Sequence, residues 1–274
     1  MNTAIIIPAY NVSSQISTLL VNLLEYKQHV IFIDDGSTDD TFKKISHMDF
    51  FVLRNTENCG IANATFKGLR YVESAGYSRV VLMDADGQHS PKYINEFINY
   101  LNDYDFVFGN RFHKNTFAPS VKWNSNIFGA ALVNDLFNTK FTDIACGYKA
   151  FKITNEVIKV VGKSNGYELV FDLLLFALTQ NSNIKFVDIE AMYSFDEFLA
   201  TRPTEMLALI DVLSRYFPDN GEISEKLSSI RDSIYNCNDF VCASGGIHFY
   251  AYFIRERNLY IVQADPKSIQ SYIA

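Results

Sequence analysis

The sequence predicts an α/β protein in which helices cover a mostly parallel sheet, followed by a smaller α+β segment. Up to about residue 110, short apolar runs alternate with segments whose apolar residues recur at helical spacing, the pattern of a parallel sheet covered by helices. Beyond about residue 200, two helical patterns precede two β-like runs. We therefore expect a first domain over residues 1–200 and a C-terminal appendage of unknown role over 201–274.

The strands of the first domain are predicted from short apolar runs. These runs lie at Ala4–Ile7, His29–Ile33, Phe50–Leu53, Arg79–Met83 and Asp105–Phe108, with a last one at Ile184–Ile189. Acidic or polar residues follow several of them directly. Because open α/β sheets bind ligands at the carboxyl ends of their strands, we expect the functional site along that edge.

The helices are predicted from apolar spacing and from polar residues suited to their first positions. The first helix is predicted over Ser14–Leu24, and Thr38 or Asp39 can cap the helix that follows the second strand. Further helices are expected over 60–71, 121–137 and 167–179, and in the appendage over 205–217 and 223–235. The β-like runs of the appendage are Ile247–Ile254 and Leu259–Gln263.

Charge and composition exclude several classes of protein. The chain has 24 Lys and Arg against 31 Asp and Glu, and no basic run that would attract a phosphate backbone, so we expect no nucleic-acid partner. No stretch provides the ~20 apolar residues of a membrane-spanning helix, and the start lacks the features of a signal peptide. The four cysteines have no C-x-x-C spacing. We expect a cytosolic protein with reduced thiols.

A strand that ends in Asp84-Ala85-Asp86 is the strongest chemical feature of the sequence. Two carboxylates with this spacing can point at one ion in a turn, and Mg²⁺ or Mn²⁺ favours oxygen ligands completed by water and substrate phosphates. The structural alternative is a turn that Asp84 caps and Asp86-Gly87 forms. The motif alone leaves both interpretations open.

A second carboxylate pair, Asp34-Asp35, ends another apolar strand. A carboxylate there can accept hydrogen bonds from the N–H groups of uracil or guanine, so recognition of a nucleobase is one use. The alternative is a turn and helix cap built with Ser37, Thr38 and Asp39. The two uses can coexist.

These motifs together resemble family 2 glycosyltransferases of the GT-A fold, the nucleotide-diphospho-sugar transferase fold. Within the family, the Asp-Ala-Asp-x-Gln-His-x-Pro pattern is similar to that of the dolichol-phosphate mannose synthase and polyprenyl-phosphate glycosyltransferase branch. The resemblance covers about residues 3–195. It rests on four segments in order, Pro8-Ala9-Tyr10-Asn11, Asp34-Asp35-Gly36-Ser37-Thr38-Asp39, Asn58-Cys59-Gly60-Ile61-Ala62 and Asp84-Ala85-Asp86-Gly87-Gln88-His89-Ser90-Pro91.

The resemblance implies roles for individual residues on the donor side. It places Pro8 and Tyr10 in the nucleotide pocket and a base contact at Asp34 and Asp35. It assigns the binding of a divalent metal, Mn²⁺ or Mg²⁺, to Asp84, Asp86 and Gln88. Through this metal, the same residues are expected to hold the donor diphosphate. His89 is expected to be structural rather than a ligand.

On the acceptor side, the resemblance implies that Arg111 helps to bind phosphate and that Asp143 lies beside the sugar site. Glu168 belongs to the segment that follows. If the acceptor is a hydroxyl group, Asp143 is the first candidate for the general base and Glu168 is the second. Lys122 and Ser125 fall near further acceptor-phosphate positions.

Three positions depart from the branch pattern. Val12 stands where the branch usually has Glu, which removes one polar contact near the nucleotide. Cys146 replaces the usual Ser, and Lys149 replaces the usual Arg, so the acceptor side lacks a bidentate guanidinium. These departures predict that the acceptor could differ from that of the branch.

The function that the resemblance implies is metal-dependent, inverting transfer of a sugar from a nucleoside-diphosphate donor to a polyprenyl phosphate or a glycan, as in polysaccharide or glycolipid biosynthesis. We also expect a peripheral contact with the inner face of a membrane. The amphipathic helices of the appendage predict packing or a dimer surface for a second copy of the chain rather than a membrane anchor. The alternative is a catalytically silent nucleotide-binding or assembly protein of the same fold. A phosphatase-like enzyme also uses Asp-x-Asp-Gly, but that motif normally precedes the other acidic pair, whereas here Asp34-Asp35 comes first.

Overall fold

A seven-stranded sheet forms the centre of the larger part of the chain in the computed structural model. Its strands are β1 (Thr3–Ala9), β2 (Val30–Asp34), β3 (Phe51–Arg54), β4 (Arg79–Leu82), β5 (Phe106–Asn110), β6 (Lys149–Lys152) and β7 (Ile184–Asp188). They lie in the order β3-β2-β1-β4-β6-β5-β7, and every neighbouring pair is parallel except the two that include β6. The prediction of an α/β fold with a mixed, mostly parallel sheet is confirmed.

Helices and a second, smaller sheet complete the described elements. The helices are α1 (Ile16–Asn22), α2 (Thr41–His47), α3 (Ile61–Ser74), α4 (Ile94–Tyr100), α5 (Ser120–Phe137), α6 (Asn155–Lys163), α7 (Glu168–Thr179), α8 (Pro203–Tyr216) and α9 (Gly221–Tyr235). The small antiparallel sheet has the order β10-β9-β8, with β8 at Val241–Gly245, β9 at His248–Arg255 and β10 at Asn258–Ala264. Within the described residues, none of these helices is long and apolar enough to cross a bilayer.

The structure describes residues 2–113, 120–192, 203–218, 220–235, 241–245, 248–255 and 258–264. The chain divides into two units that do not follow chain order. The first combines Met1–Arg111 with Cys146–Met192, and the second combines Phe112–Ala145 with Tyr193–Ala274. The segment that contains α5 and Asp143, which the sequence pattern assigns to the first domain, therefore groups with the C-terminal segment.

The sequence pattern does not reveal β6, and it misplaces one helix start. The short segment Lys149–Lys152 has a charged residue at both ends, so its pattern is not that of a buried strand, yet Lys149 is 2% exposed between β4 and β5. The N-cap position is Asp40 rather than the predicted Thr38 or Asp39, because α2 begins at Thr41. Asp39 nevertheless accepts the N–H of Thr41, the first residue of the helix. The predicted α1 extends too far, since the chain after Asn22 continues as a 3₁₀ turn.

β1 is an interior strand of the sheet and is buried on both faces. All seven of its residues are buried, and it pairs with β2 on one side and β4 on the other. Each fully buried Ile or Phe side chain contributes about 1.5–3 kcal/mol through the hydrophobic effect. The core cluster around β1 includes Ile5, Ile7, Phe32, Val81 and Val107. The register that this packing fixes places Ala9 beside Asp34.

Side-chain hydrogen bonds hold the loop after β1 against the loop after β2. Asn11 adopts a φ of 50°, and its Oδ1 accepts the N–H of Thr38 at 2.9 Å. Asp39 accepts the N–H groups of Ser13 at 3.0 Å and Thr41 at 2.9 Å. Although desolvation opposes it, these hydrogen bonds lower the pKa of Asp39 to about 2. The loop that carries Tyr10 is thereby fixed next to Asp34-Asp35.

In the second unit, two asparagines of α5 hold the loop that follows the helix. Asn126 Oδ1 accepts the N–H of Ile144 at 3.1 Å, and its Nδ2 donates to the carbonyl of Thr142. Asn134 Oδ1 accepts the N–H of Phe141 at 2.8 Å. These bonds pair backbone N–H and C=O groups of the loop, which have no partner in the regular hydrogen bonding of the helix. They also fix the position of Asp143 relative to α5.

Candidate active site

The carboxyl ends of three neighbouring strands bring the sequence motifs of the first unit to one edge of the sheet. Strands β2, β1 and β4 are adjacent and parallel, so the residues that follow them emerge side by side. Tyr10 follows β1 and is 43% exposed, whereas Pro8 lies inside the strand beside Ile33. Asp35 follows β2 directly, and Asp84 lies two residues beyond β4.

Asp34 is a fully buried carboxylate with one unused oxygen. Its side chain is 0% exposed, and the Nε of Arg54 lies 2.9 Å from Oδ2, although without hydrogen-bond geometry. The Arg54 guanidinium also lies over the ring of Phe42, 4.3 Å from its centroid. Asp34 Oδ1 has no hydrogen-bond partner within the described residues. A buried acceptor of this kind costs free energy unless a donor group satisfies it.

Asp35, in contrast, uses both of its oxygens. Its Oδ1 accepts the side-chain amide of Asn55 at 2.7 Å and the backbone N–H of Cys59 at 3.0 Å, and its Oδ2 accepts the N–H of Gly60 at 2.8 Å. Gly60 has a φ of 86° at the start of α3. Asp35 therefore holds the loop before α3 in place. The two acidic neighbours have different structural environments, which their sequence pattern does not reveal.

The Asp84–His89 loop folds back on itself. The backbone N–H of Asp84 donates to Nδ1 of His89 at 2.9 Å, and the N–H of Gln88 donates to Oδ1 of Asp86 at 2.9 Å. Gly87 allows this return because its φ is 87°. Asp84 remains 31% exposed, so its carboxylate is accessible from solution.

Two neighbouring cations and partial burial change the pKa of Asp84 in opposite directions. Burial raises the pKa of Asp84 above its ordinary value, and the charges of Arg111 and Lys149 lower it, with the net shift upward. Lys149 donates from Nζ to the carbonyl of Val170 at 2.8 Å and lies 4.8 Å from the centroid of the Phe108 ring. Arg111, which follows β5, and Lys149 are thus both close enough to influence the Asp84 carboxylate.

Gly147 allows the chain to pass directly against Asp84. A Cβ at this position would overlap the Oδ2 of Asp84 and lie 3.0 Å from Cε1 of His89. Any other residue must displace one of these groups. The sequence shows Gly147 within a family-like segment, but it does not show that the glycine is needed for this contact.

An aromatic stack supports His89 from behind. The His89 ring lies 5.0 Å from that of Tyr148, which in turn lies 4.5 Å from that of Phe97. Tyr148 donates its hydroxyl to the carbonyl of Ser90 at 3.3 Å, and burial raises its pKa well above the ordinary value, so it stays protonated. His89 is 3% exposed and accepts a backbone N–H at Nδ1, which is a structural role.

The remaining candidate residues follow later elements of the chain. Glu168 begins α7, and its Oε2 accepts the N–H of Asn165 at 3.3 Å. Asp143 belongs to the second unit, where it is 1% exposed and accepts the N–H of Ala145 at 3.0 Å. The side chains of Lys122 and Ser125 lie outside the described residues.

Asp84, Asp86 and Gln88 carry side-chain oxygens of the kind that a hard divalent cation prefers. Two carboxylates and one amide oxygen are the ligand types that Mg²⁺ and Mn²⁺ prefer. Within the described part of the chain, no three His, Cys, Asp or Glu side chains are grouped closely enough to form a metal site by themselves. Ions of this kind are often held by one or two carboxylates together with substrate phosphates.

The comparison with known families decides the classification. Residues 4–155, more than half of the chain, match the family model described as Glycosyl transferase family 2. The chain belongs to this family. The predictions of a family 2 member and of a nucleotide-sugar-dependent glycosyltransferase are confirmed.

Individual relatives agree with this assignment. An uncharacterized protein of Methanocaldococcus jannaschii is 32% identical over 177 residues, which cover 59% of this chain and 76% of the relative. The UDP-N-acetylglucosamine–dolichyl-phosphate N-acetylglucosaminyltransferase of Methanococcus voltae is 28% identical over 230 residues, covering 74% of this chain and 90% of the relative. The name of the second relative matches the branch that the motifs predict.

A solved structure shares the fold. Glucosyl-3-phosphoglycerate synthase from Mycobacterium tuberculosis, in complex with Mn²⁺, UDP-glucose and phosphoglyceric acid, superposes with a TM-score of 0.58 at 19% identity. The match covers 80% of this chain and 81% of that chain. The GT-A fold prediction is confirmed.

Replacing Gly147 by Ala should disturb the site through Asp84. Because the added Cβ would overlap Asp84 Oδ2, we expect a loss of stability of about 1–3 kcal/mol, as for other overpacked positions. We also expect at least a roughly tenfold weaker affinity for Mn²⁺ in the presence of a nucleoside diphosphate. Urea unfolding measures the first change, and electron paramagnetic resonance of free Mn²⁺ measures the second.

Gly221→Ala is the matched control for this substitution. A Cβ at Gly221 meets no atom within 4 Å, so this variant should bind Mn²⁺ like the parent chain. Equal Mn²⁺ affinity in Gly147→Ala and Gly221→Ala would contradict the assigned role of the Gly147 contact.

Proposed function

We propose that this glycosyltransferase moves a sugar from a nucleoside-diphosphate donor to a polyprenyl-phosphate or glycan acceptor, with a divalent metal and with inversion at the anomeric carbon. The observation that carries the proposal is the convergence of Tyr10, Asp34 and the Asp84–Gln88 loop at one edge of the sheet. The Mn²⁺ and UDP-glucose complex of the M. tuberculosis enzyme supports the same kind of donor.

The nucleobase is assigned to Asp34. Its Oδ1 is buried and has no hydrogen-bond partner within the described residues, and a base N–H would satisfy it when nucleotide binding exposes this oxygen. Tyr10, which is 43% exposed on the adjacent loop, offers an aromatic surface for the base. Asp35 contributes indirectly, because its three hydrogen bonds hold the neighbouring loop.

The metal is assigned to Asp84, Asp86 and Gln88. When bound, the ion would stabilise the negative charge that develops on the departing diphosphate. Hydrogen bonds orient these ligands before the ion binds, because His89 accepts the backbone N–H of Asp84 and the carboxylate of Asp86 accepts the N–H of Gln88. Arg111 and Lys149 add positive potential close to Asp84, which favours an anionic donor.

The acceptor attacks the anomeric carbon from the face opposite the leaving group, in a single displacement. A phosphate acceptor is already anionic and needs no strong base, whereas a sugar hydroxyl needs a carboxylate within hydrogen-bond reach. Asp143 is the candidate base, with Glu168 as the second. The M. voltae relative, named for a dolichyl-phosphate acceptor, supports the phosphate. Such a lipid acceptor would bring the chain to the inner face of a membrane.

The different environments of Asp34 and Asp35 lead to opposite expectations for their Asn variants. Asp34→Asn should lower nucleotide affinity by about tenfold, since it changes the acceptor offered to the base. It should cost less stability than Asp35→Asn, because the Arg54 side chain that pairs with Asp34 is 46% exposed. Asp35→Asn should lower the free energy of unfolding by about 1–3 kcal/mol, because it weakens charge-assisted bonds to two backbone N–H groups. Calorimetric titration and urea unfolding test both variants. The same profile in both would contradict these roles.

Nucleotide binding tests the donor assignment. We expect one of UDP, GDP, CDP and TDP to bind in a calorimetric titration when Mn²⁺ is present and to bind at least about tenfold more weakly without it. Asp86→Ala should abolish the metal dependence, while Asp40→Ala, at an exposed acidic residue before α2, should leave it unchanged.

Three results would contradict the proposal. Absence of binding by all four nucleotides would remove the donor assignment. Metal-dependent binding that persists in Asp86→Ala would show that the metal binds outside this loop. Binding without sugar transfer to any acceptor would support a catalytically silent member of the family.

A further inference from the structure

A cavity lies at the amino ends of the strands, opposite the edge that carries the proposed donor site. It has a volume of about 340 Å³ and opens where β2 and β3 begin, bordered by Lys27, Gln28, Asp49, Phe51, Tyr71 and Tyr77. Because β2 runs from Val30 to Asp34, the two edges are separated by about 13 Å along this strand. The volume lies within the ~300–1,000 Å³ range of small-molecule sites.

The aromatic side of this cavity is exposed and held rigidly. Phe51 is 44% exposed on β3, the edge strand of the sheet. Its ring stacks on that of Tyr71 at 4.7 Å with an interplanar angle of 23°. The ring of Tyr77 meets His29 edge-on at 6.3 Å. An exposed aromatic ring fixed by a second ring offers a flat apolar surface with little conformational entropy to lose.

The polar side of the cavity offers hydrogen-bonding groups. The Asp49 side chain is 95% exposed, and its backbone φ of 57° lies in the left-handed region. Its Oδ2 lies 3.0 Å from the Nζ of Lys27, which is the cation among the lining residues. Because this lysine is already paired, an anionic ligand would gain little binding free energy from it. The Asp49 carboxylate would also repel such a ligand. The lining therefore favours a neutral ligand with several hydroxyl groups.

We propose that this cavity is an accessory carbohydrate-binding site for a neutral mono- or disaccharide unit. The C–H face of a pyranose ring packs on Phe51, and its hydroxyl groups bond to the Asp49 carboxylate and the Gln28 amide. The site lies at the amino ends of the strands and is independent of the donor assignment. It gives the enzyme a contact with a glycan in addition to the sugar that it transfers.

Saturation-transfer-difference NMR on the full chain tests this site with four probes, maltose, cellobiose, α-1,2-mannobiose and N,N′-diacetylchitobiose. We expect saturable binding of at least one probe. The affinity should fall about fivefold or more in Phe51→Ala, the size expected for one aromatic contact, and should be retained in Phe51→Tyr. Asp49→Asn should also weaken binding, while Asn tolerates the left-handed backbone.

Two controls test whether the disaccharide binds in this cavity rather than elsewhere on the chain. Val21→Ala removes an apolar side chain that is 57% exposed outside the cavity, and it should leave binding unchanged. Excess UDP and GDP with Mn²⁺ should not displace the disaccharide, whatever the outcome of the donor test.

Three results would overturn the proposal. The first is no saturable binding of any probe up to roughly 20 mM, where a site of millimolar affinity would be filled. The second is equal affinity in Phe51→Ala and the parent chain. The third is displacement of the bound disaccharide by nucleotide and metal, which would place it in the donor site.

Discussion

The parallel pairing of β1 with both β2 and β4 is the constraint on which the candidate site depends. Every residue of β1 is buried, and the strand pairs on both sides, so a shift of the register by one residue would move each side chain out of the packing site that fits it. This register places Ala9 beside Asp34 and Ile6 beside Leu82. Three segments that are distant in sequence therefore end at the same edge.

The Asp84 carboxylate depends on a second layer of contacts that do not themselves bind ligands. His89 fixes its backbone, Tyr148 stacks on His89, and Gly147 leaves room for its oxygen. A site built in this way loses little entropy when its ligand binds, because its groups are already oriented. Lys149 stands where the branch has Arg, and its buried charge adds to the electrostatic balance at Asp84. The departure from the family pattern therefore leaves a cation near the site.

The sequence predicts the parts of the fold that local patterns determine. Apolar runs predict β1 to β5 and β7, and the Asp84–Gln88 motif predicts the edge at which we propose the site. The insertion of β6 between β4 and β5 is a long-range pairing, and Lys149 obscures its apolar pattern. The different roles of Asp34 and Asp35 depend on which neighbours each side chain meets in the folded chain. Sequence neighbours with identical chemistry cannot reveal that difference.

The central claim, that Asp84, Asp86 and Gln88 hold a divalent ion against a donor diphosphate, is tested most directly by crystallography with anomalous scattering. Crystals would be grown with Mn²⁺ and the nucleoside diphosphate that binds best, and data would be collected at the manganese absorption edge. The account predicts an anomalous peak within about 2.5 Å of the carboxylate oxygens of Asp84 or Asp86, with phosphate oxygens completing the coordination. Bound nucleotide with the manganese peak at other side chains would contradict it.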